Sequence, residues 1–166
     1  LKKLSSNVNP EGVVFIAKMP QYEVSNPNKI LYLEDISDPG NMGTLIRTAL
    51  AFDYDLVVTS ENSVSIYNEK VINSSKGAIF QIPVIVGKLK DYLGTHQILV
   101  TNLSKKAVDF ASMEIPEKFV LVLGNESHGV SKETIKLASK EIIIPIKNID
   151  SLNVAIAGGI LMNKIH

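Results

Sequence analysis

Short, continuously apolar runs constrain this chain more than any other feature. KILYLEDI (29–36), LVVTS (56–60), HQILVTN (96–102), FVLVLGN (119–125) and EIIIPI (141–146) place aliphatic and β-branched residues side by side, without a polar residue at every second position. A strand with one wet face alternates; a strand apolar on both sides must be covered on both. Such strands belong in a parallel sheet between layers of helix. Helical patterns do separate them, at 41–53, 68–76, 88–94, 131–139 and 151–166, and GVVFIAK (12–18) and FQIPVIVG (80–87) complete the expected strands. The expected class is α/β, a doubly wound parallel sheet with helices on both faces.

With 166 residues, 45% of them hydrophobic, the chain suits one well-cored domain. It begins at Leu1 and not at Met, so a longer parent chain is expected, and residues 1–12, LKKLSSNVNPEG, read as a polar linker with a turn at Pro10–Gly12. No run approaches the ~18 uncharged apolar residues that span a bilayer, so no membrane association and a cytoplasmic location are expected. The chain has no cysteine, which excludes disulfides, thiolate metal sites and a thiol nucleophile. His96, His128 and His166 lack metal-ligand spacing, so no metal is expected.

Basic and acidic residues balance at 17 each, which argues against nucleic-acid binding through a global field. The basic residues are lysines with one exception, Arg47. A single guanidinium in a lysine-rich chain is suited to a task lysine cannot perform, forked contact with phosphate or carboxylate.

Ligands of doubly wound sheets bind beyond the carboxyl ends of the strands. Three strand ends stand out: EDISDPGNMG, LGNESHG and IPIKNIDSLN. In the first, Asp38 to Asn41 form a turn that opens a helix, with Thr44, Arg47 and Thr48 on its polar side, the makings of an anion clamp. In the second, the glycines of LVLGNESHGVS fit a phosphate-cradling loop, but Val130 stands where lysine is needed and Glu126 adds a negative charge. A ligand neutral or cationic at its reactive end fits better. In the third, Ser151 is the expected N-cap of a final helix that is apolar or small almost all round, suited to a core or a subunit interface.

Together, DPGNMGTLIRTA, LVLGNESHGVS and IPIKNIDSLNVAIAGGIL resemble, in order and spacing, the three motifs of the SpoU, or TrmH, family of RNA ribose 2′-O-methyltransferases. The resemblance implies a SPOUT-type fold with a deep C-terminal trefoil knot over residues 13–166, a homodimer, and S-adenosylmethionine as methyl donor. A sulfonium cation would explain the missing lysine. It places the donor at Gly124, Ile144, Leu152 and Leu123, with Thr101 and Leu103 at a further strand end. It implies that Arg47 acts on the ribose hydroxyl. Because a guanidinium stays protonated at neutral pH, Arg47 is expected to clamp an RNA phosphate and stabilise the developing alkoxide. Asn41, Glu126, Ser151 and Asn153 match the family's other polar positions and would orient Arg47 and the ribose. His128 is expected to be surface loop. The 1–12 linker resembles the junction to an N-terminal RNA-binding domain, making ribosomal RNA the expected substrate. Transfer RNA, or a non-catalytic RNA-binding and dimerisation module, are the alternatives; a dinucleotide oxidoreductase lacks its glycine fingerprint, since only Gly12 is on offer.

Overall fold

The computed structural model describes residues 18 and 20–165, so the expected linker and the expected strand at 12–18 fall outside or at the margin of the described residues. Among the described residues, seven parallel strands form one sheet: β1 (Lys29–Leu33), β2 (Leu56–Thr59), β3 (Val84–Val86), β4 (Gln97–Thr101), β5 (Val108–Asp109), β6 (Phe119–Leu123) and β7 (Lys140–Ile143). Their order is β3-β2-β1-β6-β4-β7-β5. The helices are α1 (Pro39–Ala51), α2 (Glu69–Ser75), α3 (Lys132–Ile135) and α4 (Val154–Lys164).

The unbroken apolar runs do what their pattern demands. Along β1, Leu31 and Leu33 face one core, with Leu121, Leu123, Leu99 and Ile142 from neighbouring strands and Met42, Leu45 and Ile46 of α1. Ile30 and Tyr32 face a second core, with Val120, Val122, Ile98 and Val100, covered by Leu89, Ile135 and Leu137. Residues 119–123 are all buried, and each large aliphatic buried this way contributes roughly 1.5–3 kcal/mol. Register is fixed because a one-residue slip would exchange the two cores; β1 and β6 pair from Lys29↔Phe119 to Leu33↔Leu123, so their ends are level.

Helix α4 lies against α1, and the crossing depends on Gly158. A Cβ there would run into the side chains of Leu45 and Leu123. The far end of α4 is tied by Tyr54, whose hydroxyl donates to the Ile165 carbonyl at 3.0 Å while its ring meets Phe119 edge-on. Burial of that phenol pushes its pKa well above the ordinary tyrosine value.

Several boundaries differ from expectation. The strand expected at 80–87 shrinks to Val84–Val86 behind a 3-10 turn at Ala78–Phe80, because Pro83 has no N–H for a ladder. The helix expected at 88–94 is a single 3-10 turn, Leu89–Tyr92. That expected at 131–139 ends at Ile135, since Ser139 is drawn into the sheet, its N–H bonding the Ile98 carbonyl and its hydroxyl accepting from the Ile98 N–H at 2.9 Å. Strand β5 was not expected. Among the described residues, no helix is long and apolar enough to cross a membrane and no cluster of metal-ligating side chains occurs.

Candidate active site

The three strand-end loops converge at the carboxyl edge of the sheet. A cavity of about 390 Å³ opens there, walled by residues following β4, β6 and β7 and by the start of α4. Of the expected donor residues, Thr101, Leu103, Leu123, Gly124, Ile144 and Leu152 all line it. Glu126 and Ser151 line it too, as does His128, which is exposed as expected but sits on the cavity rim and not on remote surface. Among the described residues, no lysine or arginine is in the wall, and Glu126 is its one carboxylate.

Gly124 acts through closeness. A Cβ on it would overlap the backbone of Gly129 and Val130, where the loop folds back on itself with Asn125 and Gly129 exchanging N–H···O bonds of 3.1 and 2.9 Å. Gly129 holds a φ of +69°, a conformation glycine adopts freely. Asn125 pins this hairpin to the end of β1, donating to the Asp35 carbonyl at 2.7 Å.

Glu126 is saturated with donors. Its Oε1 accepts from the Asp38 N–H at 3.1 Å and the Asn41 amide at 3.1 Å; its Oε2 accepts from the Ser37 N–H at 3.2 Å and hydroxyl at 3.0 Å. Partial burial alone would raise its pKa, but the bonds from Asn41 and from backbone N–H groups, its own and those of Ser37 and Asp38, outweigh it and hold the carboxyl below the usual range. The carboxylate is an ionised anchor with no lone pair to spare for proton transfer.

The relay continues. The Asn41 carbonyl oxygen accepts from the Asn153 amide at 3.1 Å, and Asn153 Oδ1 accepts from the N–H groups of Ala155 and Ile156 at 2.9 and 3.3 Å. Asn153 is therefore the N-cap of α4. This corrects the expected cap, Ser151, and the placing of Asn153 within the first helical turn. The helix starts at Val154, where the Asn153 side chain takes up the free N–H groups of Ala155 and Ile156. One line of side chains, Glu126–Asn41–Asn153, thus locks the three motif loops together.

Arg47 and Ser151 are different. Both are exposed, and neither makes a hydrogen bond or ion pair among the described residues. Arg47 lies six residues beyond Asn41 on α1, roughly 9 Å along the axis, and is not in the cavity wall. Its neighbouring hydroxyls do not orient it by donation: Thr44 and Thr48 bond back to the carbonyls of Gly40 and Thr44 at 2.8 Å each.

Glu34, at the end of β1, had no place in the sequence expectation. It accepts from the Ser131 N–H and hydroxyl at 2.9 and 2.8 Å and from the Thr134 hydroxyl at 2.6 Å, fixing the far side of the 124–131 loop. The only sequence signal was its position beside Asp35 at a strand end.

Residues 28–163 match the SpoU rRNA Methylase family. The chain is 32% identical over 162 residues to the 23S rRNA (guanosine(2553)-2'-O)-methyltransferase RlmP of Bacillus subtilis, covering 95% of this chain and 65% of that protein. Among solved structures, a putative RNA methyltransferase of the TrmH family from Porphyromonas gingivalis superposes with a TM-score of 0.83 at 26% identity, over 98% of this chain and 69% of that one. An AdoMet-bound rRNA methyltransferase from Sinorhizobium meliloti superposes with a TM-score of 0.78 at 27% identity, over 87% and 57%. The chain thus spans about two thirds or less of the length of these relatives.

Proposed function

Since the chain belongs to the SpoU rRNA methylase family, we propose that it transfers a methyl group from S-adenosylmethionine to a ribose 2′-hydroxyl of RNA, with ribosomal RNA as substrate. The observation that carries this is the junction of three motif loops, through Glu126, Asn41 and Asn153, beside a cavity whose wall, among the described residues, has no lysine or arginine. That wall fits the donor: Leu123, Ile144, Leu152 and Val154 would offer apolar contact, Gly124 and Gly129 backbone, and Glu126 a negative charge suited to a sulfonium. The bound donor supplies an electrophilic methyl group.

The residues of the chain supply position. Glu126, Asn41 and Asn153 spend their polar groups on one another and on backbone, so they act as positioning residues. Ser151 on the cavity wall and Arg47 on α1 retain free polar groups, and they are the pair available to RNA. Ser151 can hydrogen-bond a ribose or donor oxygen. Arg47 clamps a phosphate and lowers the cost of negative charge growing on the 2′-oxygen, while a phosphate oxygen or water takes the proton.

A homodimer is part of the proposal. Helix α4 leaves Ile156 at 57% and Ile160 at 38% exposure, one turn apart and on the helix packed against α1, which in a second copy would find an apolar partner and bring a second Arg47 near the cavity. Ile156→Asp should yield the monomer mass by sedimentation; an unchanged dimer mass would remove this interface. A C-terminal trefoil knot, in a catalytic domain expected over residues 13–166, and a cytoplasmic location belong to the same reading. The path of the chain supports the knot, since residues 102–107 carry it from β4 to β5 across β7, and the chain after β7 returns as α4 to lie on α1.

The test is methyl transfer from labelled S-adenosylmethionine to total RNA, followed by mapping of positions resistant to alkaline cleavage. One ribose-methylated ribosomal site, lost with Arg47→Ala, is expected. Label on a base, or none, would overturn the reading.

A further inference from the structure

Residues 101–103 contribute a part of the cavity wall that lies outside the three motifs. Residues 102–107 span from β4 to β5 over the intervening β7, two strand spacings or roughly 9.5 Å, with little apolar burial to hold them: Leu103 is 63% exposed. Glu141, within β7 and paired in register with Val100 of β4, stands at this crossing. Its Oε2 accepts from the Asn102 amide at 2.7 Å and from the Ser104 hydroxyl at 2.6 Å. Asn102 is further held through its N–H to the Ile142 carbonyl at 3.0 Å, and Thr101 through its hydroxyl to the Val122 carbonyl at 3.0 Å. The bonds from Ser104 and Asn102, with Lys106 nearby, keep the Glu141 carboxyl below the usual glutamate range. A single carboxylate oxygen therefore grips the residues on both sides of Leu103, and Leu103 is held between them at the cavity.

We propose that Glu141 is a positioning residue for the methyl-donor pocket, holding Asn102 and Ser104 so that Leu103 and the adjacent backbone form its outer wall. This rests on reading the cavity as the donor site. The role follows from geometry: charge-assisted bonds are short and directional, and an exposed loop with no apolar anchor takes its shape from them. Strand β7 itself does not depend on the Glu141 carboxylate, because its ladder to β4 and β5 is made by backbone groups.

The experiment compares wild type with Glu141→Gln and Glu141→Ala by steady-state methyl transfer and by amide hydrogen exchange without donor. Glu141→Ala is expected to raise KM for S-adenosylmethionine about tenfold with kcat changed by less than about twofold, and Glu141→Gln, which keeps a neutral acceptor, about threefold. Exchange should accelerate at 102–107 and stay unchanged at 98–100 and 141–143. An unaltered KM in Glu141→Ala, or faster exchange spread over β4 and β7, overturns the proposal. Should wild type itself transfer no methyl group, the functional reading fails, while the exchange pattern still decides whether Glu141 holds the loop.

Discussion

The interior of the sheet and its carboxyl edge are held by different physics. In β1, β4 and β6 the anchoring residues are aliphatic, and Leu31, Leu99 and Leu121 are fully buried with no polar side chain between them. At the edge, Glu34, Glu126, Asn41, Asn125 and Asn153 hold the loops through bonds of 2.6–3.3 Å. Burial is strong but non-directional. A hydrogen bond is weaker in net terms, yet it fixes distance and angle. The first region should therefore govern whether the chain folds, and the second where the cavity walls stand.

The contrast can be broken by substitution. Leu121→Ala should cost about 2–5 kcal/mol of stability, seen as an earlier denaturant midpoint, while the folded fraction binds the donor as before; weakened binding in that fraction would erase the distinction. Arg47→Lys should lower kcat for methyl transfer about 100-fold, or ~2.7 kcal/mol, with a melting temperature unchanged, because a point charge does not replace a fork.

Glu126→Gln sharpens the edge side. Loss of the charge should weaken four hydrogen bonds at once and reduce kcat/KM about tenfold, with a much smaller effect on stability. The sign of its pH dependence follows from its lowered pKa. The stability it adds is present above the unfolded carboxyl pKa and is lost as pH falls through the still lower folded value. Donor binding by wild type should thus be level from neutral to weakly acidic pH and decline only below the ordinary glutamate range; a decline near pH 6 would assign control to another group. Asn153→Ala should have a smaller effect, about 1 kcal/mol for a lost helix cap, and Ser151→Ala should cost no stability because Ser151 does not cap α4. Equal melting losses for the two would restore Ser151 as the cap.

The same division explains how much was legible in the sequence. The strands of the interior announce themselves by apolar runs, and α1 by Asp38, Pro39 and the spacing of Met42, Leu45 and Ile46. Strand β5 escaped because two residues, Val108 and Asp109, carry no period. The cap of α4 was misplaced because Ser151 and Asn153 are both good caps, and only the folded chain, in which Asn153 takes the N–H groups of Ala155 and Ile156, decides between them. The motif residues were identifiable by resemblance, but the Glu126–Asn41–Asn153 relay and the roles of Glu34 and Glu141 join residues 37 to 112 positions apart. No local pattern encodes such pairs.

The central claim is that loops locked by Glu126, Asn41 and Asn153 form a methyl-donor site. Titration calorimetry with S-adenosylmethionine tests it most directly. The account predicts saturable binding of one donor per chain, weakened by Glu126→Gln and lost when a Cβ enters the loop backbone in Gly124→Val. Absence of heat for the folded wild-type protein, or binding indifferent to both substitutions, would contradict it.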